Sequence, residues 1–222
     1  MQIEFRKAER SKAKLRIGLV APAGFGKTYS ALRIAKGIGG KIAVIDTEAG
    51  SGDLYGKQFD YDIVTMNAPY EPQKYVAAIK AAEDAGYDTI IIDSISHAWS
   101  GQGGLLDQHG AVADKTGNSF AAWRKITPEH NHLVDAILQS KCHIITTMRA
   151  KTEYSVEGGK VTKLGLGPVQ KEGFDYELTV VWDLDKAHNG HATKDRTGLF
   201  DNKIAPMTEE VGKQLKDWLE TV

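Results

Sequence analysis

The segment Ala21-Pro22-Ala23-Gly24-Phe25-Gly26-Lys27-Thr28 carries the most specific chemistry in this chain. Glycines let successive backbone N–H groups converge on phosphate oxygens, and a helix opening at Lys27 adds unpaired donors and a favourable dipole. A lysine placed here reaches the β- and γ-phosphates of a nucleotide, while the hydroxyl that follows, Thr28, is a Mg2+ ligand. Ala23, Gly24, Phe25, Gly26, Lys27, Thr28 and Tyr29 are therefore the expected nucleotide-binding residues, with ATP as the cofactor. The leading glycine of the strictest pattern is Ala21 in this chain, which fits if its φ is negative.

Two strand ends supply carboxylates. Thr89-Ile90-Ile91-Ile92-Asp93 is an apolar run closed by an aspartate, which places a carboxyl group at the carboxyl edge of a sheet, beside the phosphate loop. Asp93 and Thr28 are the expected metal-holding pair for Mg2+. Val44-Ile45-Asp46-Thr47-Glu48 ends a second strand, and hydrolysis needs an acceptor that orients water in line with the γ-phosphate. Glu48 is the residue expected in that role, with Asp46 organising the strand end.

These residues must be positioned by strands and helices in alternation. Leu15–Val20, Ile42–Ile45, Tyr61–Met66, Thr89–Ile92 and His143–Met148 read as strands, several as continuous apolar runs of the kind covered on both faces. Helices are expected from Lys27 to about Ile38, over Glu71–Ala85 with Pro72 in the first turn, and over Phe120–Ser140 with a break, or a second helix starting, at Pro128. The final third reads as a hairpin, Leu178–Trp182 and Ala192–Lys194, turning at Asn189-Gly190, then a helix over Thr208–Leu219 capped by Thr208. Residues 97–119 and 149–171 read as loops too long for mere connections. The fold expected is α/β: a mostly parallel sheet flanked by helices, with a C-terminal hairpin and final helix, residues 15–222 forming one domain behind a basic arm, residues 1–14.

Composition sets the outer limits. With 222 residues, 41% hydrophobic and 26% charged, the chain can bury an ordinary core, which excludes disorder as the dominant state. No apolar run approaches the roughly 20 residues that span a bilayer, and no secretory signal is expected from Met1–Lys14. The single cysteine, Cys142, fits a reducing compartment, and a cytoplasmic location is expected. A net charge of −1 selects no partner, so any nucleic-acid surface must come from local segregation. The histidines make no convincing metal set: His130 and His132 differ by two on a helix, and His188 and His191 are only a pair.

Gly24-Phe25-Gly26-Lys27-Thr28, Ile45-Asp46-Thr47-Glu48 and Ile91-Ile92-Asp93 together resemble the ATPase core of the RecA/RadA recombinases, and more closely the short phage-encoded ATP-binding proteins linked to single-strand annealing. The resemblance runs from about Phe5 to about Asp201 and takes in Thr147–Tyr154 and Lys194–Gly198. It implies a RecA-like core, Glu48 as the hydrolytic residue, and Lys194 and Arg196 as cations that act on a neighbouring subunit's nucleotide. Two cations at i and i+2 on a strand do share one face. It further implies a homo-oligomer, ring or filament, a role on single-stranded DNA in recombination, annealing or replication, and a single-stranded-DNA-binding protein as a further partner. In a phage-encoded protein the location would be the bacterial host cytoplasm. Arg149, Lys151, Tyr154, Lys160 and Lys163 are the DNA-facing candidates, Tyr154 as a stacking face, and the six cations of residues 1–16 are a second basic stretch. The alternatives are a small-molecule (nucleotide) kinase and a non-catalytic, ATP-gated DNA-binding scaffold.

Overall fold

A computed structural model of the chain describes residues 5, 7–157 and 160–221, and the side chains of these except 152–166. Nine strands and seven helices follow one another as β1 (Arg16–Ala21), α1 (Lys27–Ile38), β2 (Ile42–Asp46), β3 (Asp62–Thr65), α2 (Pro72–Asp84), β4 (Thr89–Asp93), α3 (Ser96–Ser100), α4 (Leu105–Thr116), α5 (Ser119–Gln139), β5 (His143–Glu157), β6 (Lys160–Pro168), α6 (Phe174–Glu177), β7 (Val180–Leu184), β8 (Asn189–Asp195), β9 (Ile204–Pro206) and α7 (Glu209–Glu220) among the described residues. The sheet order is β3-β2-β4-β5-β1-β7-β8-β9. The pairs from β3 to β7 are parallel and β8 and β9 antiparallel, so the architecture is α/β with a mostly parallel sheet.

Apolar runs explain the central strands. Every residue of β1, β2 and β4 is buried, because helices cover both faces. Alternate residues feed separate cores: Ile17, Leu19, Val44 and Ile91 pack with α1, α7 and Trp182, whereas Ile45, Ile90 and Ile92 pack with Tyr75, Ile79, Leu133 and Ile137. Helices α1 and α7 touch backbone to backbone. A Cβ on Gly37 would stand 1.9 Å from the Glu209 carbonyl oxygen, so alanine there forces the helices apart.

Several expected boundaries change. Helix α5 runs unbroken through Pro128, which sits on the exposed face, as does Arg124, the residue whose carbonyl a proline four positions on leaves without its helical partner. Residues 97–119 hold α3 and α4 instead of a loop. Residues 149–171 are mostly the antiparallel β5–β6 hairpin. Asn189-Gly190 opens β8, and the turn itself is Asp185–His188, with the Asp185 carboxylate accepting from the Ala187 and Asn189 N–H groups. Thr208 takes the N-cap position without a side-chain cap bond.

The basic arm is partly tied down. The Arg10 guanidinium lies 4.6 Å from the Trp218 ring centroid and donates to the Trp218 carbonyl. Arg16 is buried, its guanidinium donating to the carbonyls of Leu15, Leu138, Ser140 and Cys142, so it closes the end of α5 and is not a surface cation. No helix among the described residues is long and apolar enough to cross a membrane.

Candidate active site

Strand β1 delivers the chain to the carboxyl edge of the sheet at Ala21, and α1 starts six residues later at Lys27. Gly24 and Gly26 have φ of 78° and 79°, the left-handed region that favours glycine, and the φ of Ala21 is negative, as its strand position requires. The Lys27 ammonium folds back over this loop, donating to the Ala21 carbonyl at 2.9 Å and the Pro22 carbonyl at 3.0 Å. Burial pushes its pKa down, against the pull of Asp93 and Glu48.

Asp93 closes β4 and is 2% exposed. Its Oδ2 accepts from the Thr28 hydroxyl and its Oδ1 from the Thr147 hydroxyl, each at 2.5 Å. Burial raises the carboxyl pKa despite these two bonds, and the group makes no ion pair among the described residues. A buried carboxylate in contact with a hydroxyl, both hard oxygen donors, suits Mg2+. Thr28 and Asp93 would hold it.

Glu48 stands two residues beyond β2, and Asp46 shapes that approach: its Oδ1 accepts from the Glu48 N–H at 2.7 Å and its Oδ2 from Gly52 N–H at 3.4 Å. The parallel register sets Asp46 beside Asp93. Thr47 ties the two strand ends together, its N–H donating to the Asp93 carbonyl and its hydroxyl oxygen accepting from the Ser94 N–H. His97 Nδ1 lies 2.7 Å from the same hydroxyl, with its ring stacked on Tyr70 at 4.7 Å. Burial, then the Arg149 charge, lower the His97 pKa.

Arg149 grips Glu48. Its Nε donates to Oε1 at 3.0 Å and its Nη2 to Oε2 at 2.6 Å, a bidentate pair. Burial pushes the Glu48 carboxyl up, but the Arg149 hydrogen bonds and charge, with smaller help from His97 and Lys27, hold it below its ordinary value. Arg149 was expected to face DNA; it sits here because Arg149 pairs with Ala21 in the parallel β1–β5 register.

A cavity of about 830 Å³ is lined by Gly24, Lys27, Thr28, Glu48, Asp93 and Arg149, with Tyr29, Tyr55 and His188 on its walls. Of the expected nucleotide-binding residues, Ala23 and Gly26 also line it. Phe25 packs against the core, and its carbonyl lies 3.0 Å from His188 Nδ1. Arg149, Thr147 and His188 were not anticipated at this site; all three arrive through strand adjacency, which no local pattern encodes.

Lys194 and Arg196 are elsewhere. Along antiparallel β8, Gly190 lies level with Leu184 at the phosphate-loop edge, whereas Asp195 lies level with Val180 and Ile17. The two cations therefore sit toward the opposite edge, roughly 15 Å of strand away. Lys194 donates to the carbonyls of Asp175 and Tyr176, and Arg196 to that of Tyr176 at 2.6 Å. Lys151 is exposed on β5; the side chains of Tyr154, Lys160 and Lys163 lie outside the described residues.

The chemistry open to this arrangement is binding of a nucleoside triphosphate and activation of water at its terminal phosphate. A comparison with curated proteins finds no match. The AAA domain family, by contrast, matches residues 13–204, which takes in the phosphate loop, both carboxylate strands and the Arg149 strand. With that match over most of its length and this site at its centre, the chain belongs to the AAA domain family of ATP-binding, P-loop ATPases.

Proposed function

We propose that the chain hydrolyses Mg-ATP in a RecA-like manner, assembles with copies of itself, and acts on single-stranded DNA. The observation that carries the reading is the convergence of Lys27, Thr28, Asp93 and Glu48, drawn from three strand ends, on one cavity. Lys27 would neutralise the β- and γ-phosphates, and the Glu48 carboxylate would take a proton from water as its oxygen attacks the γ-phosphorus. The β–γ bridging P–O bond breaks, giving ADP and inorganic phosphate. Thr28 and Asp93 would hold a magnesium ion, which would supply charge neutralisation at the phosphates. The Tyr55 ring on the cavity wall offers a face to the base.

Assembly is supported by the placement of Lys194 and Arg196, too far along β8 to serve their own phosphate loop yet disposed as a pair. A neighbour's triphosphate is the target such a pair fits, in a heterologous ring or filament contact. Action on DNA is supported by the β5–β6 hairpin, which projects from the strand beside the phosphate loop and carries exposed Lys151. Recombination or annealing is the setting to which the resemblance to RecA-type cores points. The test combines release of inorganic phosphate without any acceptor and particle mass with Mg-ATP and an oligothymidylate. Phosphate release together with a mass increase is expected. Silence without an acceptor would favour a kinase, and an unchanged mass under every combination would remove the assembly.

A further inference from the structure

His188 reaches the phosphate loop from the turn between β7 and β8. Its Nδ1 lies 3.0 Å from the Phe25 carbonyl oxygen, and a Cβ added at Gly26 would stand 2.6 Å from the same nitrogen, so the ring lies against the Phe25–Gly26 peptide. A carbonyl only accepts, which makes Nδ1 the protonated nitrogen and the donor. The peptide is trans, with its C=O and N–H pointing in opposite directions. A carbonyl held by His188 therefore aims the Gly26 N–H away from the ring, and Gly26 lines the cavity that the loop encloses. Nothing among the described residues accepts from that N–H.

The loop alone does not fix this peptide. Gly26, at a φ of 79°, tolerates either sign of φ, so rotation of the peptide plane meets little steric resistance. The turn that carries His188 is, by contrast, braced. His188 has a φ of 65°, uncommon for a residue with a Cβ. Its N–H donates to the Asp185 carbonyl at 3.0 Å, and its own carbonyl accepts from the Met207 N–H at 3.2 Å. The Asp185 carboxylate holds both neighbours, accepting from the Ala187 N–H at 2.8 Å, the Asn189 N–H at 2.9 Å and the Asn189 side-chain amide at 3.0 Å. Such a conformation persists only where its surroundings over-determine it, and here it delivers one N–H donor to one loop carbonyl.

We propose that His188 is a positioning residue for nucleotide binding, pinning the Phe25–Gly26 peptide so that the Gly26 N–H is already aimed at the α- and β-phosphates. This rests on the reading of the phosphate loop as the nucleotide site. In this role the imidazole touches no phosphate. It removes a rotation that the loop would otherwise lose on binding, so its effect is read as affinity. The contact lies short of the γ-phosphate, and ATP and ADP share it equally.

The experiment measures ATP and ADP affinity by calorimetry, and the amide-proton shift of Gly26 on adding ADP, for the full chain, His188→Gly and His188→Asn. His188 is exposed, so neither substitution hollows the core. Glycine suits a φ of 65° and removes the donor; asparagine tolerates that φ and keeps an N–H donor near the Nδ1 position. His188→Gly is expected to bind both nucleotides about 3- to 10-fold more weakly, the worth of one net hydrogen bond, and by the same factor for each. His188→Asn should recover most of that loss. ADP should move the Gly26 amide proton downfield in the parent and in His188→Asn, and by less in His188→Gly. Unchanged affinities in His188→Gly, a loss that asparagine does not recover, or equal Gly26 shifts in all three proteins overturns the positioning role. A loss confined to ATP does so too, since it would place the imidazole at the γ-phosphate. A parent that binds neither nucleotide overturns instead the phosphate-loop reading beneath it.

Discussion

The Thr28 hydroxyl and the Asp93 carboxylate, 65 residues apart in sequence, meet at 2.5 Å at the mouth of the sheet. Helix α1 presents one and strand β4 the other, although β4 is not the neighbour of β1: β5 lies between them and adds the Thr147 hydroxyl to the same carboxylate.

That contact predicts an unusual pair of melting results. Burial of Asp93 without a paired cation costs stability, so Asp93→Asn, whose amide still pairs with the two hydroxyls, should melt no lower than the parent when ligand-free. Mg-ATP at 100 times its dissociation constant should raise the parent's melting temperature by about 5–10 °C, and that of Asp93→Asn by far less. Equal ligand-induced shifts in the two proteins would contradict the metal-holding role.

Lys194 and Arg196 predict complementation between two defective chains. Lys27→Ala should lose nucleotide binding, and Arg196→Ala should keep binding and lose turnover. In an equal mixture about a quarter of head-to-tail contacts join an intact loop to intact cations, so phosphate release should reappear at roughly that fraction. A mixture as silent as its components, with assembly intact by mass, would show that Arg196 does not serve a neighbour's site.

His143 sets an acid limit on stability. Its Nδ1 accepts from the Leu15 N–H at 3.0 Å, and burial, then Lys14 and Arg16, push its pKa from 6.5 down to about 4. The folded pKa is depressed, so the unfolded chain binds the extra proton first. The contribution of neutral His143 is fully present above about pH 6.5 and is lost as pH falls through about 4. His143→Asn keeps an acceptor near the Nδ1 position and removes the titration. Urea midpoints measured from pH 7 to 4 should fall less steeply in that variant; identical slopes would assign the acid sensitivity to other groups.

What the sequence disclosed follows from how local each signal is. Gly24, Gly26, Lys27, Thr28 and Asp93 could be read because the glycine turn, the helix start and the apolar strand with its terminal carboxylate each lie within a few residues. The place of Asp46 at the strand end was readable for the same reason, and the Glu48 N–H donates to its carboxylate there. Arg149 could not be placed, because its position depends on β5 lying beside β1, a choice made by packing across the sheet. His188 reaches Phe25 only because β7 flanks β1 on the other side. The helices within 97–119 were hidden by glycines, and α4 buries only Leu105, too little to print a periodic pattern. Pro128 misled because the helix carries it on its exposed face, away from the buried contacts that hold α5 in place.

The central claim is that Glu48 is the group that turns bound ATP over. Its most direct test is single-turnover phosphate release by the parent and Glu48→Gln under conditions that saturate both with Mg-ATP. The account predicts ATP affinity within about threefold of the parent and a chemical step slowed by about 100-fold or more. A Glu48→Gln protein that releases phosphate at the parental rate would contradict it.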